Sequence, residues 1–153
     1  MNKMIDPIGI YKCLGCQTCA IVCAAANHGS HSIEKSAIKI RTSGGMTGRF
    51  VAVVCRACAD PACMNACPVG ALEARPGGGV LLNPDKCIGC RKCVPVCGVE
   101  AVNFDEDTSK PIICHHCGIC TTFCTHNCIV VKKTEDLQKS GDVGEAKEVS
   151  LVP

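Results

Sequence analysis

CRACADPACMNACPVG, residues 55–70, places Cys55, Cys58, Cys63 and Cys67 within one short run and follows the last with Pro68. Four thiols this close in sequence cannot all be core filler. The same grouping occurs three more times, as Cys13, Cys16, Cys19 and Cys23; Cys87, Cys90, Cys93 and Cys97; and Cys114, Cys117, Cys120 and Cys124. Three copies read C-x2-C-x2-C-x3-C, and the copy at 55–67 carries two extra residues in its middle gap.

Composition narrows what such thiols do. The chain has 17 cysteines in 153 residues, an odd number, behind an N-terminus (MNKMIDPIGI) without an apolar leader core. A disulfide scaffold is therefore disfavoured, and clustered thiols in a reducing, cytoplasmic setting read as metal ligands. Setting the cysteines aside, the apolar share falls from 47% to roughly 36%, below the usual ~45–50%. With no Trp, one Tyr and three Phe, the chain needs something other than side chains to fill its interior. A net charge of +2 with no basic block argues against nucleic acid. No apolar run reaches the length of a membrane span, so no membrane is expected.

The spacing is that of bacterial ferredoxins, in which three closely set thiolates hold one [4Fe–4S] cluster and the fourth reaches a different one. Structural zinc, which pairs two C-x2-C knuckles across a spacer, is the competing reading. It does not account for four thiols run together with an x3 step. Four groups imply four [4Fe–4S] clusters.

The segments between groups read as hairpins: 37–41 with 50–54 across a Gly-rich turn, 71–74 with 80–82 across Arg-Pro-Gly-Gly-Gly, and 101–104 with 111–113 across a polar turn at 105–110. A short helix of little more than two turns is expected to carry each fourth cysteine. The fold class is α+β, with two ferredoxin-like modules whose clusters supply the missing core. Cys128 is the surplus cysteine. It aligns with Ala71 and Ala101, four residues after Cys67 and Cys97, and reads as a small buried filler beside a cluster, with a ligand role as the alternative. On the filler reading Cys128→Ala keeps all its iron and Cys124→Ala loses a cluster. His115 and His116, inside the fourth group, read as solvent-side loop residues, the alternative being a Rieske-like ligand role that four thiols per group leave unneeded, and His28, His31 and His126 read as surface.

The chain resembles the four-cluster iron–sulfur subunits of the dimethyl-sulfoxide-reductase type, which serve formate dehydrogenases, hydrogenases, carbon monoxide dehydrogenases and tungsten aldehyde oxidoreductases. The resemblance covers about residues 8–131. It is carried most specifically by Cys55-x2-Cys58-Ala-Asp-Pro61-Ala-Cys63-x3-Cys67-Pro68-x-Gly70-Ala71. It implies exchanged fourth ligands: Cys13, Cys16 and Cys19 with Cys124; Cys55, Cys58 and Cys63 with Cys97; Cys87, Cys90 and Cys93 with Cys67; and Cys114, Cys117 and Cys120 with Cys23. The unit is then residues 1–131, with an outer module from about 8–36 and 110–131 and an inner module from about 50–109. Residues 132–153 form a polar tail. The implied role is a non-catalytic electron-transfer subunit for a large molybdenum- or tungsten-pterin oxidoreductase, aldehyde oxidoreductase first, with a flavin- or NAD-linked subunit as a second candidate partner. The alternative is a free-standing polyferredoxin. Only Cys67 is followed by the proline that usually marks such groups, and the chain is short for the family, with no anchoring extension.

Overall fold

The computed structural model describes residues 3–44 and 48–133. Short elements alternate with cysteine-bearing loops. In order they are β1 (Lys3–Asp6), α1 (Thr18–His28), β2 (Lys39–Thr42), β3 (Phe50–Val53), α2 (Ala62–Asn65), β4 (Leu72–Ala74), β5 (Val80–Leu82), β6 (Asn103–Asp105), β7 (Lys110–Ile112), α3 (Ile119–Thr122) and β8 (Val130–Lys133). The strands form four separate two-stranded antiparallel ribbons, β1–β8, β2–β3, β4–β5 and β6–β7.

Three ribbons are the expected hairpins, and their turns are local. In β6–β7, Asp105 accepts from the Asp107 N–H (3.2 Å) and the Thr108 hydroxyl (2.8 Å), a side-chain turn that fixes the reversal. The fourth ribbon was not anticipated. It pairs the two extremes of the described chain, with Lys3 opposite Lys133 and Asp6 opposite Val130. Lys132 and Lys133, assigned to the tail from sequence, are therefore the last residues of β8. The tail from residue 134 onward lies outside the described residues.

The helices also differ from expectation. Only α1 is longer than one turn; its alanine-rich segment has high helix propensity and carries both Cys19 and Cys23. The single turns α2 and α3 hold the third cysteine of their groups, Cys63 and Cys120, while Cys67 and Cys124 fall beyond their ends. The third group has turns alone over 92–96. There Pro95 removes an N–H and disfavours helical backbone at Val94.

Two apolar clusters form. One gathers Ile5, Ala37, Ile38, Val54, Ile112 and Ile129 with four cysteines; the other gathers Leu72, Val80, Val102 and Cys93. Ile112 packs in the first and Ile113 against the second, because successive residues of an extended segment face opposite ways. Both clusters are small, as the composition requires.

Candidate metal centres

The backbone of the cysteine loops repeats. Two and four residues after the leading cysteine, the chain adopts positive φ: Gly15 and Gln17, Gly89 and Arg91, His116 and Gly118. The longer second loop keeps only the first of these, at Ala57. Alternating right- and left-handed residues turn successive N–H groups to the same side, which forms an anion-receiving concavity. Accordingly Gly15 donates its N–H to Cys13 Sγ (3.4 Å) and His116 to Cys114 Sγ (3.4 Å).

A second repeat follows the fourth cysteines. Gly70, Glu100 and Asn127 have positive φ, and each aims the next N–H back at the sulfur. Ala71 reaches Cys67 Sγ (3.2 Å), Ala101 reaches Cys97 Sγ (3.3 Å) and Cys128 reaches Cys124 Sγ (3.3 Å). Cys23, inside α1, instead receives the Asn27 side-chain amide (3.7 Å).

These loops surround four cavities. The first is lined by Cys13, Cys16, Cys19 and Cys124. The second takes Cys55, Cys58, Cys63 and Cys97, the third Cys87, Cys90, Cys93 and Cys67, and the fourth Cys114, Cys117, Cys120 and Cys23. In each, three thiols come from one loop and one from another. The second is the largest of the four, and its wall includes Pro61 and Ala62 of the longer loop.

Neighbouring cavities share walls. On α1, Cys19 faces the first and Cys23 the fourth, one helical turn apart. Cys63 and Cys67 divide likewise between the second and third. Ile113 lines both the second and the fourth. The resulting order is third, second, fourth, first. At the two ends, Leu14 and Ile88, each directly after a leading cysteine, are 67% and 66% exposed.

The chemistry of the lining suits iron–sulfur clusters. No carboxylate lines any of the four cavities, so an anionic cluster meets no like charge. Among the described residues, no three Cys, His or acidic side chains gather closely enough to hold a lone metal ion, as tetrahedral zinc requires. The thiols surround a space, not a point. Burial pushes the Cys114 and Cys120 thiols up to about 12 and those of Cys19 and Cys93 up to about 11. Such thiols ionise when iron takes the place of the proton. Burial also raises Cys67, but the N–H groups of Ala71, Val69, Leu72 and Gly70 outweigh it, and its thiol is held low.

Two features, at His116 and Arg75, were not visible in the sequence. His116 is not solvent-side: it is 2% exposed, and its Nδ1 accepts the Ile5 N–H of β1 (3.1 Å). Burial, then the neighbouring Arg75 and His115, pull its pKa down to about 4, so it is neutral and pins the fourth loop to the unanticipated ribbon. His115, His28, His31 and His126 are exposed, as expected. Arg75 donates to Gly78 O (2.9 Å), His115 O (3.0 Å) and Lys3 O (2.8 Å), which joins the β4–β5 turn to the fourth loop and β1. Cys128 is buried on a cavity wall, as expected, and lines the first cavity as a fifth thiol.

The family model for a 4Fe-4S dicluster domain matches residues 47–98, and that for a 4Fe-4S binding domain matches residues 10–26. Among curated proteins, the chain is 34% identical over 123 residues to the NADH-dependent phenylglyoxylate dehydrogenase subunit beta of Aromatoleum evansii, covering 77% of this chain and 28% of the relative. It is 29% identical over 118 residues to a chain of the anaerobic dimethyl sulfoxide reductase of Haemophilus influenzae (69% and 58% covered). It is 34% identical over 108 residues to the polyferredoxin-like subunit of an aliphatic sulfonate oxidoreductase of Pyrococcus furiosus (70% and 61%). This chain carries 4Fe-4S domains and is similar to iron–sulfur subunits of the dimethyl-sulfoxide-reductase type. The chain is thus similar to proteins named as subunits or chains of oxidoreductases. It spans between 28% and 61% of the length of the three relatives named here. No helix among its described residues is long and apolar enough to cross a membrane.

Proposed function

We propose that this chain holds four [4Fe–4S] clusters, one per cavity, on the four cysteine sets above, and relays electrons for a large catalytic subunit. The observation that carries this reading is the gathering of four thiols around each of four cavities. When bound, each cluster supplies a site that takes up and gives back a single electron. The protein's own part is to hold the cysteines, to aim N–H groups at their sulfurs and to keep carboxylates away, and the last two favour the more negative, reduced state. The first and fourth cavities, with α1, make the outer module, and the second and third make the inner one.

The partner we propose is a cytoplasmic molybdenum- or tungsten-pterin enzyme, aldehyde oxidoreductase first. The likeness to an NADH-dependent dehydrogenase subunit supports a further NAD-linked partner. Apolar side chains exposed at both ends of the cavity line, Leu14 and Ile88, suit contact with one partner at each end. Two measurements test the proposal. Anaerobically reconstituted protein is expected to hold about sixteen irons per chain; a plateau far below that overturns it. Anaerobic purification is expected to bring down a large oxidoreductase polypeptide; isolation as a lone chain favours the free-standing polyferredoxin.

A further inference from the structure

The first cavity has one thiol more than a cluster uses. Cys128 is 3% exposed and lines the same cavity as Cys13, Cys16, Cys19 and Cys124. Its N–H donates to Cys124 Sγ (3.3 Å). The position is not accidental, because the loop after the fourth cysteine has the same backbone in three copies. In each, the residue four places on donates its N–H to the fourth cysteine's sulfur and lines that sulfur's own cavity, as Ala71 in the third, Ala101 in the second and Cys128 in the first. Where two copies put a methyl group on the cavity wall, this copy puts a thiol. The backbone is also held in place: Gly9 donates to Cys128 O (3.1 Å), and a Cβ at Gly9 would come within 2.4 Å of Asn127 O.

We infer that Cys128 is a reserve ligand for the first cluster, able to take the iron that Cys124 otherwise holds. The inference rests on the four-cluster reading. In the exchange, the iron–sulfur bond to Cys124 breaks, a bond from Cys128 Sγ forms, and the proton leaving the Cys128 thiol is balanced by one taken up by the released Cys124 thiolate; in Cys124→Ala, where no Cys124 bond forms, that proton passes to solvent. Loss of the Cys124 sulfur frees the Cys128 N–H, while the Gly9 N–H still holds Cys128 O and keeps the thiol on the cavity wall. None of the other fourth cysteines has this substitute: the equivalent residues after Cys67 and Cys97 are alanines, and Cys23 lies within α1.

The test is iron and acid-labile sulfide per chain after anaerobic reconstitution, with electron paramagnetic resonance of the reduced protein. Cys124→Ala is expected to keep wild-type iron with an altered spectrum for one cluster. Cys97→Ala and the double variant Cys124→Ala/Cys128→Ala are each expected to lose about one to four irons, part or all of one cluster. If Cys124→Ala loses as much iron as the double variant, the inference is overturned. Should Cys124→Ala fail to fold, the transplant decides: adding Ala101→Cys to Cys97→Ala is expected to restore the missing iron, and no recovery overturns the inference. Wild-type protein far below sixteen irons would instead count against the four-cluster reading itself.

Discussion

Replacing Arg75 by alanine is the sharpest mechanical test of how the parts of this chain are joined. Its guanidinium bonds three backbone carbonyls from three segments at 2.8–3.0 Å, which one planar, multi-donor group can do and a lysine ammonium cannot. A buried hydrogen bond from a charged donor contributes about 1.5–3 kcal/mol. Arg75 is half-exposed, so water partly replaces each bond, and about 1 kcal/mol apiece is the fitting figure. The total is about 3 kcal/mol, or on the order of a hundredfold in an opening equilibrium. Opening lifts the β4–β5 turn, where Gly78 packs so closely that a Cβ would meet Ala57 O at 2.1 Å and the Gly79 N–H binds Cys58 O (3.0 Å). The second cavity loses that wall. Cluster loss is irreversible, so the assay is kinetic: decay of visible absorbance in anaerobic guanidinium, wild type against Arg75→Ala and Arg75→Lys. The expected result is at least a tenfold faster decay for alanine, with lysine recovering less than half the difference. Decay within twofold of wild type for Arg75→Ala would refute the clamp.

Two further outcomes are expected. Cys23→Ala disturbs the cluster of the fourth loop, whose cavity it lines, and leaves that of Cys13, Cys16 and Cys19 intact; spectroscopic loss confined to the first loop would contradict the exchange of ligands. Asp105 is held below the usual carboxylate range by the Thr108 hydroxyl, with the Asp107 N–H and Lys35 assisting against burial. Its contribution is therefore present above the unfolded value of about 3.9 and is lost as pH falls through the folded one. Asp105→Asn should unfold more readily than wild type at neutral pH, with the gap closing below about pH 4; a gap independent of pH would refute the assignment.

How much was legible depended on sequence distance. The β2–β3, β4–β5 and β6–β7 ribbons were readable because each turn lies between its own strands, signalled by glycines or by Asp105. The β1–β8 ribbon was not, because Lys3 and Lys133 meet across nearly the whole described chain and neither strand carries a turn signal. His116 was misplaced for the same reason: its partner, the Ile5 N–H, belongs to that ribbon. The helices were over-read, since a short x3 step to the fourth cysteine needs only one turn, and in the third group Pro95 prevents even that.

The amino-acid order alone determined that thiols come in local threes, because C-x2-C-x2-C closes within one loop whatever surrounds it. It also determined that the interior must be filled by something other than side chains, a matter of simple composition. Which distant cysteine completes each cavity, that Cys128 points at the first one, and that Arg75 and His116 fasten the ends together were decided only by the folded chain. Those relations join residues far apart in sequence, and spacing carries no information about which remote segments chain closure brings face to face.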